Sequence, residues 1–166
     1  MKSVSDFLPG MENVEIAYMP NAILIGRAKR NSQIESAPKF WGECVADGTL
    51  SKLAELPKMI PNHLLGWSGD CPESEENAER DFTYMIGALV PMGTPIPDGL
   101  DYRVLRETLV IKGLLGMDMM KCIDKLKEMG YTTNYGDNNG WNAELYIDGE
   151  VDEDSWSWMI PIKKVE

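Results

Sequence analysis

Hydrophobic positions along this chain follow two periods, one of about two residues and one of three to four, and the switches between them mark the elements. Val14–Tyr18 carries the first strand pattern and stops at Met19-Pro20-Asn21. Ala22–Ala28 (AILIGRA) follows at once, rich in β-branched and aliphatic residues, so the two runs predict strands around a tight turn or bulge. From Ile34 to Ala46 the period lengthens: Phe40, Trp41, Cys44 and Val45 recur at helical spacing behind Ser36 and Pro38, and Asp47-Gly48 stops the helix. A short helix over Leu50–Leu56 ends before Pro57. Strands are predicted at Leu64–Ser68 and Phe82–Val90, separated by the acidic, turn-rich stretch Gly69–Arg80. Pro91–Gly99, with three prolines and two glycines, is a linker.

The same order then recurs. Tyr102–Leu105 and Glu107–Lys112 predict strands. Met117–Met129 predicts a helix whose stripe is Met120, Ile123, Leu126 and Met129, stopped at Gly130. After the turn cluster Asn134–Gly140 come a strand at Asn142–Ile147, an acidic turn at Asp148–Asp154 and a last strand at Trp156–Lys163. Local sequence agrees with the repeat: Tyr84-Met85-Ile86-Gly87 answers Trp158-Met159-Ile160-Pro161, and Leu64–Asp70 answers Glu144–Glu150. The chain is therefore expected to be one α+β domain over residues 1–166. It is built from a strand–helix–strand–strand module at about 12–90, the linker at about 91–99 and a second module at about 100–164. Two such modules would pair about a pseudo-twofold axis into a curved antiparallel sheet, helices on one side, with a central ligand groove at the seam.

Composition narrows the chemistry. At 166 residues and 43% hydrophobic the chain can bury a full core. A formal net charge of −11 argues against direct nucleic-acid binding, which needs a basic stripe, and the densest basic group, Arg27, Lys29 and Arg30, is small. No apolar run is long enough to span a membrane, and Met1–Gly10 lacks the apolar core of a signal peptide, so a cytoplasmic location is expected. Cys44, Cys71 and Cys122 share no metal or redox spacing, and His63 is the single histidine, so neither a metal site nor a cofactor is expected. No G-x-S-x-G elbow accompanies His63, and no phosphate-binding glycine loop is present.

In the order of its segments the chain resembles the GyrI-like small-molecule-binding domains, which also serve as effector-binding domains of AraC-type and MerR-type multidrug regulators. The resemblance rests on Ala22–Gly26, Lys39-Phe40-Trp41, Phe82–Gly87, the strand pair Tyr102–Gly113, Glu144-Leu145-Tyr146 and Ile160-Pro161. It implies a groove between modules, with Glu144 of the Glu-x-Tyr strand facing it. Two departures stand out. No DNA-binding helix-turn-helix segment precedes Val14, so a stand-alone role is expected. Ser155-Trp156-Ser157-Trp158 also replaces an acidic residue found in many members.

Glu144 is the leading candidate, able to neutralise a lipophilic cation or to act as a general acid/base. Trp156 and Trp158 share one strand face, and the repeat makes Phe82 and Tyr84 their counterparts. These four, with Trp41, Trp67 and Tyr146, are candidate walls for a planar ligand. Met117, Met119, Met120, Met129 and Met159 could add an adaptable apolar lining. The expected function is the binding or sequestering of a bulky hydrophobic or aromatic, in some cases cationic, small molecule. One alternative is a hydrolase opening reactive cyclopropane rings in DNA-alkylating compounds, with Glu144 and Tyr84 as catalytic pair. Another is a protein partner, such as DNA gyrase, met through the acidic surface.

Overall fold

The run Ala22–Arg30, aliphatic at its start, and the apolar run of Thr83–Pro91 pair along nine residues, from Ala22↔Pro91 to Arg30↔Thr83, the longest ladder among the described residues. In this computed structural model residues 2–3, 14–60, 62–70, 82–114, 119–134, 140–147 and 157–165 are described. The strands are β1 (Lys2–Ser3), β2 (Val14–Met19), β3 (Ala22–Arg30), β4 (His63–Gly69), β5 (Thr83–Pro91), β6 (Asp101–Leu105), β7 (Thr108–Leu114), β8 (Tyr131–Thr133), β9 (Asn142–Ile147) and β10 (Ser157–Lys164). The helices are α1 (Ala37–Ala46), α2 (Thr49–Ala54) and α3 (Met119–Glu128). All pairings are antiparallel, in the order β1-β2-β7-β10-β9-β4-β5-β3-β6, with β8 beside β10. The α+β architecture read from the sequence is the one observed. Strand–helix–strand–strand occurs once as β3-α1-α2-β4-β5 and again as β7-α3-β9-β10, and the two meet where β4 pairs with β9.

The helices start and stop where side chains allow. Ser36 caps α1 by accepting the Lys39 N–H at 3.2 Å, and Pro38 fits its first turn, where no N–H donor is needed. Gly48 takes φ +84° between α1 and α2, a conformation that disfavours residues with a Cβ. Phe40, Trp41 and Cys44 bury one face of α1 against Ile25, Ile86 and Tyr84, while Cys122, Ile123 and Leu126 bury α3 against Ile111, Trp158, Ile160 and Ile162. Residues paired in register share a face, and Ile86, Gly66, Glu144, Trp158 and Gly113 form one row across five strands. All three helices therefore cover the same side of the sheet.

The strands joined by the two tight connections do not pair with each other. β2 pairs with β7 and β3 with β6, although only Pro20 and Asn21 separate β2 from β3 and only Arg106 and Glu107 separate β6 from β7. In a flat sheet of this order β2 and β3 would lie six strand spacings apart, about 29 Å. Three Cα–Cα steps span at most about 11 Å. The sheet must therefore curl until the β2–β3 and β6–β7 connections come together, and the Asn21 side chain joins them by accepting the Glu107 N–H at 2.7 Å. Among the described residues no helix lies over the inner face so enclosed. It is nonetheless a core, in which Leu65, Trp67, Met85 and Trp141 are almost fully buried beside residues from both sheet ends, Met19 and Leu105.

Candidate functional site

Strand β9 alternates cleanly: Ala143 and Leu145 are buried in the inner core, while Glu144 and Tyr146 face the helix side. Glu144 is half-buried, and the Tyr146 hydroxyl donates to its Oε2 at 2.6 Å. Burial raises the Tyr146 phenol above its ordinary range, and the bond to the Glu144 carboxylate raises it further. Among the described residues no other hydrogen bond or ion pair reaches Glu144, which leaves Oε1 open.

Tyr84 approaches the same point from β5. Its hydroxyl accepts the Trp41 indole N–H at 3.0 Å, which ties β5 to α1 inside the core. Trp41 stands edge-on to the Tyr146 ring, centroids 5.2 Å apart, and Phe40 packs against Tyr84 at 6.1 Å. Burial is the main force pushing the Tyr84 phenol up to about 12. The Trp41 donor opposes it, and the Glu144 charge adds to it.

Gly66 is what permits this convergence. It sits on β4, opposite Glu144 in register, and a Cβ there would come 2.5 Å from the Tyr84 hydroxyl and 3.3 Å from Glu144 Oε2. Trp41, Tyr84, Tyr146 and Glu144 thus gather over one backbone position that carries no side chain, at the seam of β4 and β9. The arrangement offers aromatic surface, an open carboxylate oxygen and a phenolic proton of Tyr84 with no acceptor among the described residues.

The remaining candidates fall elsewhere. Trp158 is the register partner of Glu144, but its ring lies over Gly113, whose added Cβ would meet it at 2.3 Å, and packs beneath α3. Its buried indole N–H has no partner among the described residues. Trp67 points to the opposite face, into the inner core. Phe82 is half-buried at the start of β5, against the α1 cluster. Trp156 lies outside the described residues, as do Cys71, Met117 and the side chains of Met119 and Met120. Met129 packs on the α3 cluster and Met159 in the inner core. Cys44 and Cys122 are buried, and burial pushes the Cys44 thiol up to about 11. His63 is buried between the Ile60 carbonyl, 2.5 Å from Nδ1, and the Leu89 N–H, which donates to Nε2 at 2.9 Å. Arg27 pairs with Asp47 and Lys29 with Glu43, so both basic side chains are bound to α1 or its C-terminal end. Among the described residues no group of three or more His, Cys, Asp or Glu could hold a metal ion, and no helix is long and apolar enough to cross a membrane.

Sequence reasoning missed Gly66. The available signal was a glycine in the middle of an apolar strand, which often marks a close approach by another group.

No protein-family model matches the chain, and no curated protein matches it by sequence. Solved structures do match in fold. One is a Staphylococcus aureus MU50 protein described as a bacterial transcription regulation protein, with 18% identity and TM-score 0.58 over 90% of this chain and 97% of that one. Another is SAV2435 bound to tetraphenylphosphonium, with 17% identity and TM-score 0.59 over 90% and 93%. A third is the C-terminal domain of EcmrR, with 15% identity and TM-score 0.56 over 92% and 98%. The resemblance read from the sequence therefore holds at the level of the fold.

Proposed function

We propose that this chain is a small-molecule-binding protein that takes a bulky aromatic, preferably cationic, ligand over Gly66, against Glu144 and the rings of Trp41, Tyr84 and Tyr146. The observation that carries the reading is the convergence of these four side chains on a bare backbone position. A half-buried carboxylate with one free oxygen attracts a cation more strongly than a solvated one, and an aromatic face adds roughly 0.5–2 kcal/mol of cation–π attraction. That a protein of the same fold is bound to tetraphenylphosphonium supports the reading.

Tryptophan fluorescence during titration with tetraphenylphosphonium and with a neutral aromatic of similar size tests it. The expected result is saturable quenching by the cation that Glu144→Gln weakens at least about tenfold, the equivalent of about 1.4 kcal/mol. Equal binding of cation by wild type and Glu144→Gln would overturn the charge-reading role. No quenching by either compound would overturn the site.

The closeness of the Tyr84 hydroxyl and Glu144 favours a second reading, a hydrolase for strained, electrophilic ligands. Glu144 would take a proton from water as it attacks, and Tyr84, held in its protonated form, would donate to the departing side. This reading requires a product heavier by one water, absent with Glu144→Gln although the ligand still binds.

A further inference from the structure

In the strand order the sheet ends at β6. Among the described residues β6 pairs only with β3, and it carries two of the most exposed large apolar side chains, Tyr102 at 51% and Val104 at 55%. Both face the helix side, in register with Ile25 and Ile23, yet among the described residues no helix covers them. An exposed strand edge with apolar side chains is a template for another strand.

The segment is also complementary to itself. Its sequence is Leu100-Asp101-Tyr102-Arg103-Val104. Laid antiparallel on a second copy about Tyr102, it sets Tyr102 opposite Tyr102, Asp101 opposite Arg103 of the other copy, and Leu100 opposite Val104 of the other copy. Every apolar residue meets an apolar one on the helix side. Each acid meets a base on the other side, twice over. Registers shifted by two residues lose this match, since they oppose Arg103 to Arg103 or Asp101 to Asp101. Opposite charges across a strand pair stabilise it and like charges do the reverse.

We propose that two copies of this chain pair through β6 in this register and form an isologous dimer with a continuous sheet. Pairing displaces one contact, that of the Arg103 guanidinium on the Tyr102 carbonyl at 2.8 Å, and supplies a backbone donor in its place. The intramolecular partners of the two charged residues lie inside the chain: Asp101 Oδ2 accepts the Ala28 N–H at 2.9 Å, and Arg103 binds Asp70 at 2.9 Å.

Sedimentation equilibrium of the full chain and of charge variants tests the pairing. Wild type is expected to dimerise. Asp101→Arg and Arg103→Asp should each weaken the dimer by about tenfold, through repulsion at two symmetric pairs. The double exchange, Asp101→Arg with Arg103→Asp, should restore it. That rescue cannot come from within one chain, because the exchange breaks the contacts to Ala28 and Asp70 again. Val104→Lys, at an exposed position, should weaken the dimer without lowering the melting temperature. A chain that stays monomeric at its highest soluble concentration overturns the proposal. So does a dimer indifferent to the single reversals, or one not restored by the exchange.

Discussion

Tyr146 holds Glu144 from two positions along the same strand, its hydroxyl 2.6 Å from Oε2, and the aromatic ring that makes this bond is itself fixed edge-on against Trp41. The carboxylate is thus oriented by a core residue. Tyr146→Phe keeps the ring and removes the donor. Its expected cost is about 1.5–3 kcal/mol of interaction at the carboxylate, typical of a hydrogen bond to a charged group. Isothermal titration with tetraphenylphosphonium should show weaker binding, while far-ultraviolet circular dichroism stays unchanged. Unaltered affinity would show that Glu144 needs no such support.

Gly66→Ala should fill the space that the site uses. The new methyl would meet the Tyr84 hydroxyl at 2.5 Å, so the phenol must move and lose its bond to Trp41. Overpacking of this kind costs about 1–3 kcal/mol, measurable as a lower denaturation midpoint. Adding Tyr84→Phe removes the obstructing oxygen and should recover part of the loss, so the two substitutions are non-additive. Strict additivity would place the clash elsewhere.

Trp41→Phe removes an N–H that stabilises the ionised form of Tyr84. The Tyr84 phenol, at about 12 in the wild type, should then titrate higher still. Alkaline difference absorbance of wild type and variant reads this directly. A lower value in Trp41→Phe would mean that the bond is not made in solution.

His63 gives the fold an acid-side limit. The proton sits on Nδ1 toward Ile60, and Nε2 accepts from Leu89, so the neutral ring is the form that fits. Burial, the main cause, lowers its pKa below the ordinary 6.5. Above 6.5 both folded and unfolded chains hold the neutral ring and its contribution is complete. As pH falls below 6.5 the unfolded chain takes up a proton that the folded chain resists, so stability declines until the folded pKa is passed. Thermal melts between about pH 7 and 5 should show this slope in the wild type and a smaller one in His63→Leu. Equal slopes would mean that other groups dominate.

Much of the fold was legible because each element matches its local pattern. Ala22–Arg30 is a strand that opens on the aliphatic run Ala22–Ile25, α1 starts at Ser36 and Pro38, and β9 occupies Asn142–Ile147, the residues the alternation marks. The helical patterns overrun the helices: Ile34 and Glu35 lie before the Ser36 cap, and Met129 and Gly130 form the turn that closes α3. Strand partners were not legible. Pro20-Asn21 and Arg106-Glu107 have the length of hairpin turns, and only long-range pairing energies send their strands to opposite ends of the sheet. In the site, Glu144, Tyr146, Tyr84 and Trp41 came from the residues and the resemblance. Gly66 did not, because a missing side chain carries no chemistry until its neighbours are known. Trp67 differs from Gly66 by one position and therefore by one face, a parity that becomes visible once the register with Ala143 is fixed.

The exchange of edge strands also sets a schedule for synthesis. β2 leaves the ribosome well before its partner β7, which is encoded about ninety residues later. At elongation rates of roughly 5–20 residues per second, β2 waits several seconds with one edge unmatched. The first half cannot close the inner core alone, since Met19 and Leu24 meet there with Val110 and Met159 from the second half. Ribosome-stalled chains ending in the linker should therefore remain protease-sensitive at β2, and a nascent chain becomes resistant there only after β7 has emerged.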